Sequence, residues 1–221
     1  MDIKYIVRKW LIPEGWYKIL SEGKNSVLLH DKKAEIASNK NDNLSKYKDI
    51  HKGKRVFVLA SGPSINSQNL TLLKDDYCIA VSQFFLHPAI KVIKPQYHCF
   101  APQHSPFNDD TNKIIFDGFT KYYDFPIKAF IGNSDYKFSY KNFLLNNPNY
   151  NIDAEFVDLS RSLRLIDQNH MDEDVWNISK NPFSLRTVIY LAIQLAYFMG
   201  FSEIYLLGVD HDYLKDTSRV T

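Results

Sequence analysis

Residues 55–64 read RVFVLASGPS, in which a continuous apolar run at residues 56–60 is followed by a serine–glycine–proline turn. A strand that is apolar on both faces is typical of the middle of a parallel sheet. Gly62 lets the backbone turn tightly at the carboxyl end of this strand, and Ser64 opens the next predicted helix, whose free N–H groups would bind an anion. The stretch therefore predicts a parallel strand followed by a phosphate-binding turn, with an ordinary strand-to-helix turn as the alternative.

The neighbouring segments extend this strand into an α/β domain. Residues 77–81, YCIAV, and 97–101, YHCFA, have the apolar and aromatic composition of further strands. A long apolar helix is expected over residues 182–199 and should end at Gly200, and a buried strand follows at residues 204–207. We therefore predict a Rossmann-like α/β fold, with a mostly parallel sheet and helices on both faces.

The middle of the chain, residues 102–181, has a weaker pattern, because asparagine, aspartate and proline interrupt its apolar residues. Short strands are expected at residues 127–131 and 154–157, and a helix at residues 140–145. The rest of this region yields no prediction.

Charge divides the chain near residue 54, although the whole sequence has a formal net charge of only +2. Residues 1–54 hold 12 Lys and Arg against 7 Asp and Glu, and they begin with a short basic amphipathic stretch. We interpret residues 1–54 as an N-terminal segment and linker, and residues 55–221 as the nucleotide-binding domain, which we expect to lack its C-terminal lid. The basic segment can pack on the domain, on a partner subunit of a homo-oligomer, or on an anionic membrane surface.

The compartment follows from what the sequence lacks. With only two cysteines, a disulfide framework is excluded. Charges interrupt the first 20 residues and the longest apolar run is too short for a bilayer, so we expect neither a signal peptide nor a membrane-spanning helix. The expected location is the cytoplasm, with the inner face of the cytoplasmic membrane as an extension of it, and no nucleic-acid partner is expected.

Four motifs follow one another in this sequence: GPS at residues 62–64, SQF at 82–84, APQ at 101–103 and EIYLLGVD at 203–210. In this order they resemble bacterial sialyltransferases that modify lipooligosaccharide, and the related motility accessory factors of flagellin glycosylation. The resemblance implies a glycosyltransferase that moves sialic acid or another nonulosonic acid from a CMP-sugar donor to a cell-surface glycan or protein. It implies no requirement for a metal cofactor.

The resemblance also implies where the nucleotide binds. Asparagines at the strand ends of that family contact the cytidine nucleotide or its sugar, and serine or glutamine stands at the matching positions here. These residue types can still form hydrogen bonds to a nucleotide. The positions implied in nucleotide or substrate binding are Ser61, Gly62, Pro63, Ser64, Ser82, Gln83, Gln103, Thr187 and Asp210.

The loop after the last predicted strand carries the candidate catalytic residues. His211 is the histidine that the pattern places beside carboxylates at a strand's carboxyl end, so it is the candidate general base. Asp212 is expected to contact the substrate, and Tyr213 partly matches a tyrosine pair that supports the departing phosphate in the resembling family. Alternatively, Asp210 and Asp212 would hold a divalent ion against a diphosphate. By contrast, His98 is expected to be a hydrogen-bonded histidine of the core or of a loop, with a ligand role as the alternative.

Two other functions fit the same motifs. Archaeal pterin pyrophosphokinases have a similar GPS opening and GxD loop, and such an enzyme would use ATP and magnesium, held by Asp210 and Asp212. The other function is a non-catalytic module that binds a glycan or a nucleotide within a larger assembly. ATP binding that requires magnesium would favour the pyrophosphokinase, and CMP or UDP binding without magnesium would favour the glycosyltransferase.

Overall fold

The chain divides into two compact units, Met1–Asn39 and Lys40–Thr221. The computed structural model describes residues 41–159, 176–180 and 187–210, all of which lie in the second unit. Within these ranges six strands form one sheet, and every neighbouring pair of strands is parallel. The strands are β1 (Arg55–Leu59), β2 (Tyr77–Val81), β3 (Tyr97–Phe100), β4 (Lys128–Asn133), β5 (Ala154–Asp158) and β6 (Glu203–Leu207).

The order of the strands across the sheet is β5-β4-β3-β2-β1-β6. From β1 the chain adds strands outwards through β2 to β5, and it then returns to the other side of β1 for β6. This reversal creates a topological switch point between β1 and β6, and ligands of α/β sheets bind outside the carboxyl ends of the strands at such a point. The predicted α/β fold with a parallel sheet is confirmed.

Helices cover both faces of the sheet. The long helix near the C-terminus packs on one face together with the first and last of the 3₁₀ helices, and the remaining helices pack on the opposite face. The α-helices are α1 (Ile90–Ile93), α2 (Asp109–Tyr122), α3 (Tyr140–Asn146) and α4 (Val188–Phe198), and the 3₁₀ helices are Asp42–Tyr47, Pro63–Ser67, Leu70–Leu73, Phe84–Leu86 and Ile178–Lys180.

Strand β1 explains why its sequence is apolar at successive positions. Val56 and Val58 face the layer that contains α4, whereas Leu59 faces the opposite layer, and all three side chains are fully buried. Each such side chain contributes about 1.5–3 kcal/mol to folding through burial. Because β1 lies between β2 and β6 and under helices on both faces, a polar residue at any of these three buried positions would be destabilising.

The structure corrects the predicted helices around the sheet. After β1 the chain forms two short 3₁₀ helices instead of the α-helix expected from Ser64. Helix α4 begins at Val188 and not at residue 182, because Thr187 has extended backbone angles and its hydroxyl accepts a hydrogen bond from the N–H of Ile189. The predicted cap and first turn at residues 181–186 lie outside the described residues. Gly200, with φ of +82°, follows the helix end as predicted.

Two further elements differ from the expectation. Strand β6 was expected to be buried, but it is bonded only to β1 among the described strands, and Tyr205 and Leu206 are each 44% exposed. Helix α2 was not predicted at all. Its start is well defined, since the side chain of Asn108 accepts a hydrogen bond from the N–H of Thr111, and two aspartates in the first turn favour the positive end of the helix dipole.

Among the described helices, none combines the length and the apolar composition that a membrane span needs.

Candidate functional site

The carboxyl ends of β1 and β6 meet at the switch point of the sheet. We call this place the β1–β6 junction, and it consists of residues 60–64 and 208–210. Two main-chain hydrogen bonds close it: Ala60 N–H donates to the carbonyl of Leu207 at 2.9 Å, and Gly62 N–H donates to the carbonyl of Gly208 at 2.8 Å. The two loops therefore hold each other where the fold predicts a ligand site.

Two glycines make this close approach possible, each for a different reason. Gly62 has an ordinary φ of −65°, but a Cβ atom there would lie 2.4 Å from the carbonyl oxygen of Gly208 and 2.7 Å from Oδ2 of Asp210. Gly208 has φ of +68°, and its Cβ would lie 2.4 Å from the carbonyl oxygen of Ala60. Gly62 is required for space alone, and Gly208 for both space and backbone conformation.

The Asp210 carboxylate is bound to the turn that follows β1. Its Oδ2 accepts a hydrogen bond from the N–H of Ser64 at 2.8 Å, and its Oδ1 accepts one from the Ser64 hydroxyl. The Ser64 N–H is therefore not free for an anion, contrary to the expectation from the turn sequence. A carboxylate in this position disfavours a bare phosphate and favours a cation, or a phosphate that carries one.

Strand β2, which neighbours β1, ends at Val81 and is followed by Ser82 and Gln83. Leu59 of β1 pairs with Ala80 of β2, so Ser61 and Ser82 are each two residues beyond the paired positions. Ser61 and Gln83 are exposed and Ser82 is half-buried. None of these three side chains makes a hydrogen bond within the described part of the chain, so all are available to a ligand.

Gln103, at the end of β3, is engaged inside the protein. It is only 5% exposed, and its Nε2 donates to Oδ1 of Asn112 on α2 at 2.8 Å. Asn112 in turn donates to the carbonyl of Phe138 at 2.9 Å. The structure therefore gives the Gln103 amide a partner inside the protein.

The start of α4 lies at the same edge of the sheet. The other end of α4 is at the amino edge, because the carbonyls of Phe198 and Met199 accept hydrogen bonds from the N–H groups of Asp49 and His51, which precede β1. Thr187 is half-buried and its hydroxyl caps the helix. Its backbone position is compatible with the predicted nucleotide contact, but its hydroxyl already has a partner.

The predicted catalytic residues His211, Asp212 and Tyr213 lie outside the described residues. The metal pair of Asp210 and Asp212 is therefore described only at Asp210. In the ranges that the structure covers, no three His, Cys, Asp or Glu side chains converge in a way that could hold a metal ion.

His98 on β3 is a fully buried core residue with both ring nitrogens bonded, as predicted. Nε2 lies 2.9 Å from the carbonyl of Ser82, and Nδ1 lies 2.8 Å from the hydroxyl of Tyr123. Burial lowers the pKa of His98 to about 3, although the bond to Ser82 opposes this, so the imidazole is neutral. A carbonyl can only accept, so Nε2 carries the proton and Nδ1 accepts from Tyr123.

Ser64 and Asp210 are each predicted site residues, but their contact with each other is not predictable from the sequence. They are 146 residues apart, and nothing in either local sequence indicates the other. The available signal was positional: both follow apolar strands directly, and the carboxyl ends of adjacent parallel strands lie at the same edge.

A comparison with protein families identifies a relationship that covers most of the chain. The model of a family described as 6-hydroxymethylpterin diphosphokinase MptE-like matches residues 31–216. No curated protein sequence matches the chain.

The family match overturns the resemblance to lipooligosaccharide sialyltransferases, and the glycosyltransferase activity inferred from it is wrong. The motifs that carried the resemblance include the two glycines and the aspartate that the β1–β6 junction needs for its geometry, so they describe a strand arrangement and do not distinguish one activity from another. The match agrees instead with the alternative interpretation, a pterin-type pyrophosphokinase. The chain belongs to the MptE-like family.

Proposed function

We propose that the chain is a diphosphokinase that transfers a diphosphate group from ATP, bound with magnesium, to the hydroxymethyl group of a pterin-like heterocycle. Two findings support the proposal. The family description names this reaction type, and the β1–β6 junction places a carboxylate at the position where α/β sheets bind nucleotides. Because the donor is ATP, we place the reaction in the cytoplasm.

The reaction is a substitution at the β-phosphorus of ATP. The hydroxymethyl oxygen forms a bond to the β-phosphorus, the bond between this phosphorus and the oxygen that bridges it to the α-phosphorus breaks, and AMP leaves. The proton of the hydroxyl group is released to a base or to water. No atom changes oxidation state, so the protein has to position the two substrates and stabilise the charge on the transferring phosphates.

The observation that carries the proposal is the Asp210 carboxylate held by Ser64. Magnesium that travels with ATP keeps several water ligands and takes one or two protein carboxylates besides the phosphate oxygens. Two hydrogen bonds from Ser64 orient the Asp210 carboxylate at the β1–β6 junction. A bound magnesium ion would also offset the repulsion between Asp210 and the phosphates.

The hydroxyl groups of Ser61 and Ser82 would complete the contact with the phosphates. They are neutral donors on adjacent strand ends and have no partner within the described residues. Donors of this kind stabilise charge on phosphate oxygens without requiring a counter-ion. Gln83, which is exposed beside Ser82, can contact the same ligand.

The test is the formation of AMP from ATP, magnesium and 6-hydroxymethylpterin, measured by chromatography, with phosphorus NMR of the pterin product. We expect AMP and a pterin diphosphate ester in equal amounts. D210N should reduce the rate by roughly 100-fold or more, since asparagine has no charge for magnesium and loses one acceptor for Ser64.

Asp76→Asn is the matched control, because Asp76 is an aspartate bonded to Arg55 at the opposite, amino end of β1, at 2.6 Å. It should leave the rate unchanged. Absence of pterin-dependent AMP in the wild type, or full activity in a folded D210N protein, would show that the proposed function is wrong. Binding of ATP with magnesium but without turnover would support a nucleotide-binding module in its place.

A further inference from the structure

Ser82 has a backbone conformation that L-amino acids rarely adopt. Its φ is +52°, in the left-handed region that favours glycine. Within the described ranges, Ser82 is the strained non-glycine residue at the carboxyl edge, where the site lies.

Ser82 is held in this conformation by two hydrogen bonds of its main chain, one at its N–H and one at its carbonyl. Its N–H donates to the carbonyl of Cys99 at 3.1 Å, and its carbonyl accepts from Nε2 of His98 at 2.9 Å. His98 is itself fixed, because the Tyr123 hydroxyl donates to its other ring nitrogen at 2.8 Å. These hydrogen bonds link Tyr123, at the C-terminal end of α2, through the buried His98 to Ser82 at the end of β2.

The Ser82 hydroxyl, at the end of this series of hydrogen bonds, has no hydrogen-bond partner of its own. A serine that is held in an unfavourable conformation by buried groups, and whose hydroxyl is left without a partner, is poorly explained by stability alone. Strained residues of this kind cluster where a ligand is bound, because the surrounding structure maintains them against relaxation.

We propose that His98 is a positioning residue for the nucleotide: it holds the carbonyl of Ser82, and so keeps the Ser82 hydroxyl and the Gln83 side chain where they bind the phosphates at the β1–β6 junction. This inference rests on the proposed function for the identity of the ligand. His98 itself does not touch the substrate, since it is 0% exposed.

A purely structural role for His98 predicts a different outcome, and Tyr123 provides the comparison. Tyr123→Phe removes the hydrogen bond on the far side of the imidazole and leaves a buried ring nitrogen unsatisfied, but it keeps the bond from His98 to Ser82. His98→Leu removes both bonds. If His98 only completes the core, the two variants should affect stability and ligand binding in proportion to each other.

The experiment measures three quantities in His98→Leu, Tyr123→Phe and wild type: the affinity for ATP with magnesium by calorimetry, hydrogen exchange in the peptide of residues 81–86, and stability in urea. In His98→Leu we expect an affinity loss of roughly tenfold, the effect of one lost hydrogen bond to a charged group, and faster exchange at Ser82. In Tyr123→Phe we expect lower stability with nearly unchanged affinity. His98→Gln, which can still donate to the Ser82 carbonyl, should recover part of the affinity.

Ser82 variants decide the question if His98→Leu does not fold. Ser82→Ala keeps the strain and loses the hydroxyl, so it should bind ATP less tightly at unchanged stability. Ser82→Gly loses both, so it should be more stable than Ser82→Ala and bind equally weakly. Unchanged binding in Ser82→Ala would overturn the inference.

Two results would also separate this inference from the proposed function. If the wild type binds no ATP, the proposed function is wrong. In that case, equal exchange at residues 81–86 in His98→Leu and wild type would overturn the positioning role as well. If the wild type binds ATP but His98→Leu binds it equally well, only the positioning role is wrong.

Discussion

Replacing Gly62 with alanine perturbs the β1–β6 junction through steric contact alone. The backbone of Gly62, with φ of −65° and ψ of 150°, suits alanine without strain. The added Cβ would lie 2.4 Å from the carbonyl oxygen of Gly208 and 2.7 Å from Oδ2 of Asp210, whereas real Cβ atoms essentially never approach other heavy atoms within 3.0 Å. The two loops must therefore move apart.

The cost follows from the hydrogen bonds that this movement breaks. The bond from Gly62 N–H to the Gly208 carbonyl, 2.8 Å long, contributes about 1 kcal/mol. The bonds from Ser64 to Asp210 involve a charged group, and weakening them costs about 1.5–3 kcal/mol. We therefore expect G62A to lower the free energy of unfolding by roughly 2–4 kcal/mol, a large effect for one added methyl group.

The measurement is urea denaturation of G62A and the wild type, with ATP affinity in the presence of magnesium as a second readout. Gly53→Ala is the control, since Gly53 has φ of +75° but no atom within 4 Å of an added Cβ. It should cost about 1 kcal/mol from backbone strain alone and leave ATP affinity unchanged. A G62A protein within about 0.5 kcal/mol of wild type would refute the idea that close contact closes this junction.

Two further predictions concern groups away from the junction. Burial raises the pKa of Glu155, but hydrogen bonds from Lys46 and Lys128 outweigh this effect and lower the pKa to about 2. The ionised carboxylate therefore stabilises the fold above pH 4.5, and this contribution is lost as the pH falls towards 2. E155Q should therefore lower the free energy of unfolding by about 1–3 kcal/mol at pH 7 but not near pH 2, measured by denaturation across this range, and equal losses at both pH values would contradict it. The side-chain oxygen of Gln194 in α4 is buried without a partner among the described residues. Gln194→Met should therefore raise the melting temperature. A lower melting temperature would show that the amide has a stabilising contact.

Local sequence was sufficient for the strands at the centre of the sheet. β1 and β2 are flanked by strands on both sides and packed on both faces, so their buried positions are apolar, and this apolar run is visible without knowledge of the neighbouring strands. Gly200 was also predictable, because a residue with φ of +82° after a helix is usually glycine.

Elements whose character depends on their neighbours were predicted less well. Residues 204–207 have the composition of a buried strand, but β6 is half-exposed because the described sheet has a strand on only one side of it. Helix α2 escaped prediction because its polar face dilutes the apolar pattern, although Asn108 and the two aspartates after it are a readable start signal. The short 3₁₀ helices after β1 lack any sequence signal that distinguishes them from the start of an α-helix.

The candidate site was predictable as a set of positions but not as a set of contacts. Ser61, Ser64, Ser82 and Asp210 all follow apolar strands, and the parallel sheet brings them to one edge. Gln103 also follows a strand, yet its amide bonds to Asn112 on a helix that the sequence did not reveal. The motifs at the strand ends also suggested the wrong activity, because the same turn geometry serves different reactions.

The sequence by itself determined that this protein is an α/β domain with a parallel sheet and with polar turns at the ends of its central strands. The periodicity and the apolar runs that show this are properties of neighbouring residues. Only the tertiary structure decided that Ser64 binds Asp210 and that His98 holds Ser82 in a left-handed conformation. These contacts join residues far apart in the chain, so they depend on strand order and register, which no local pattern contains.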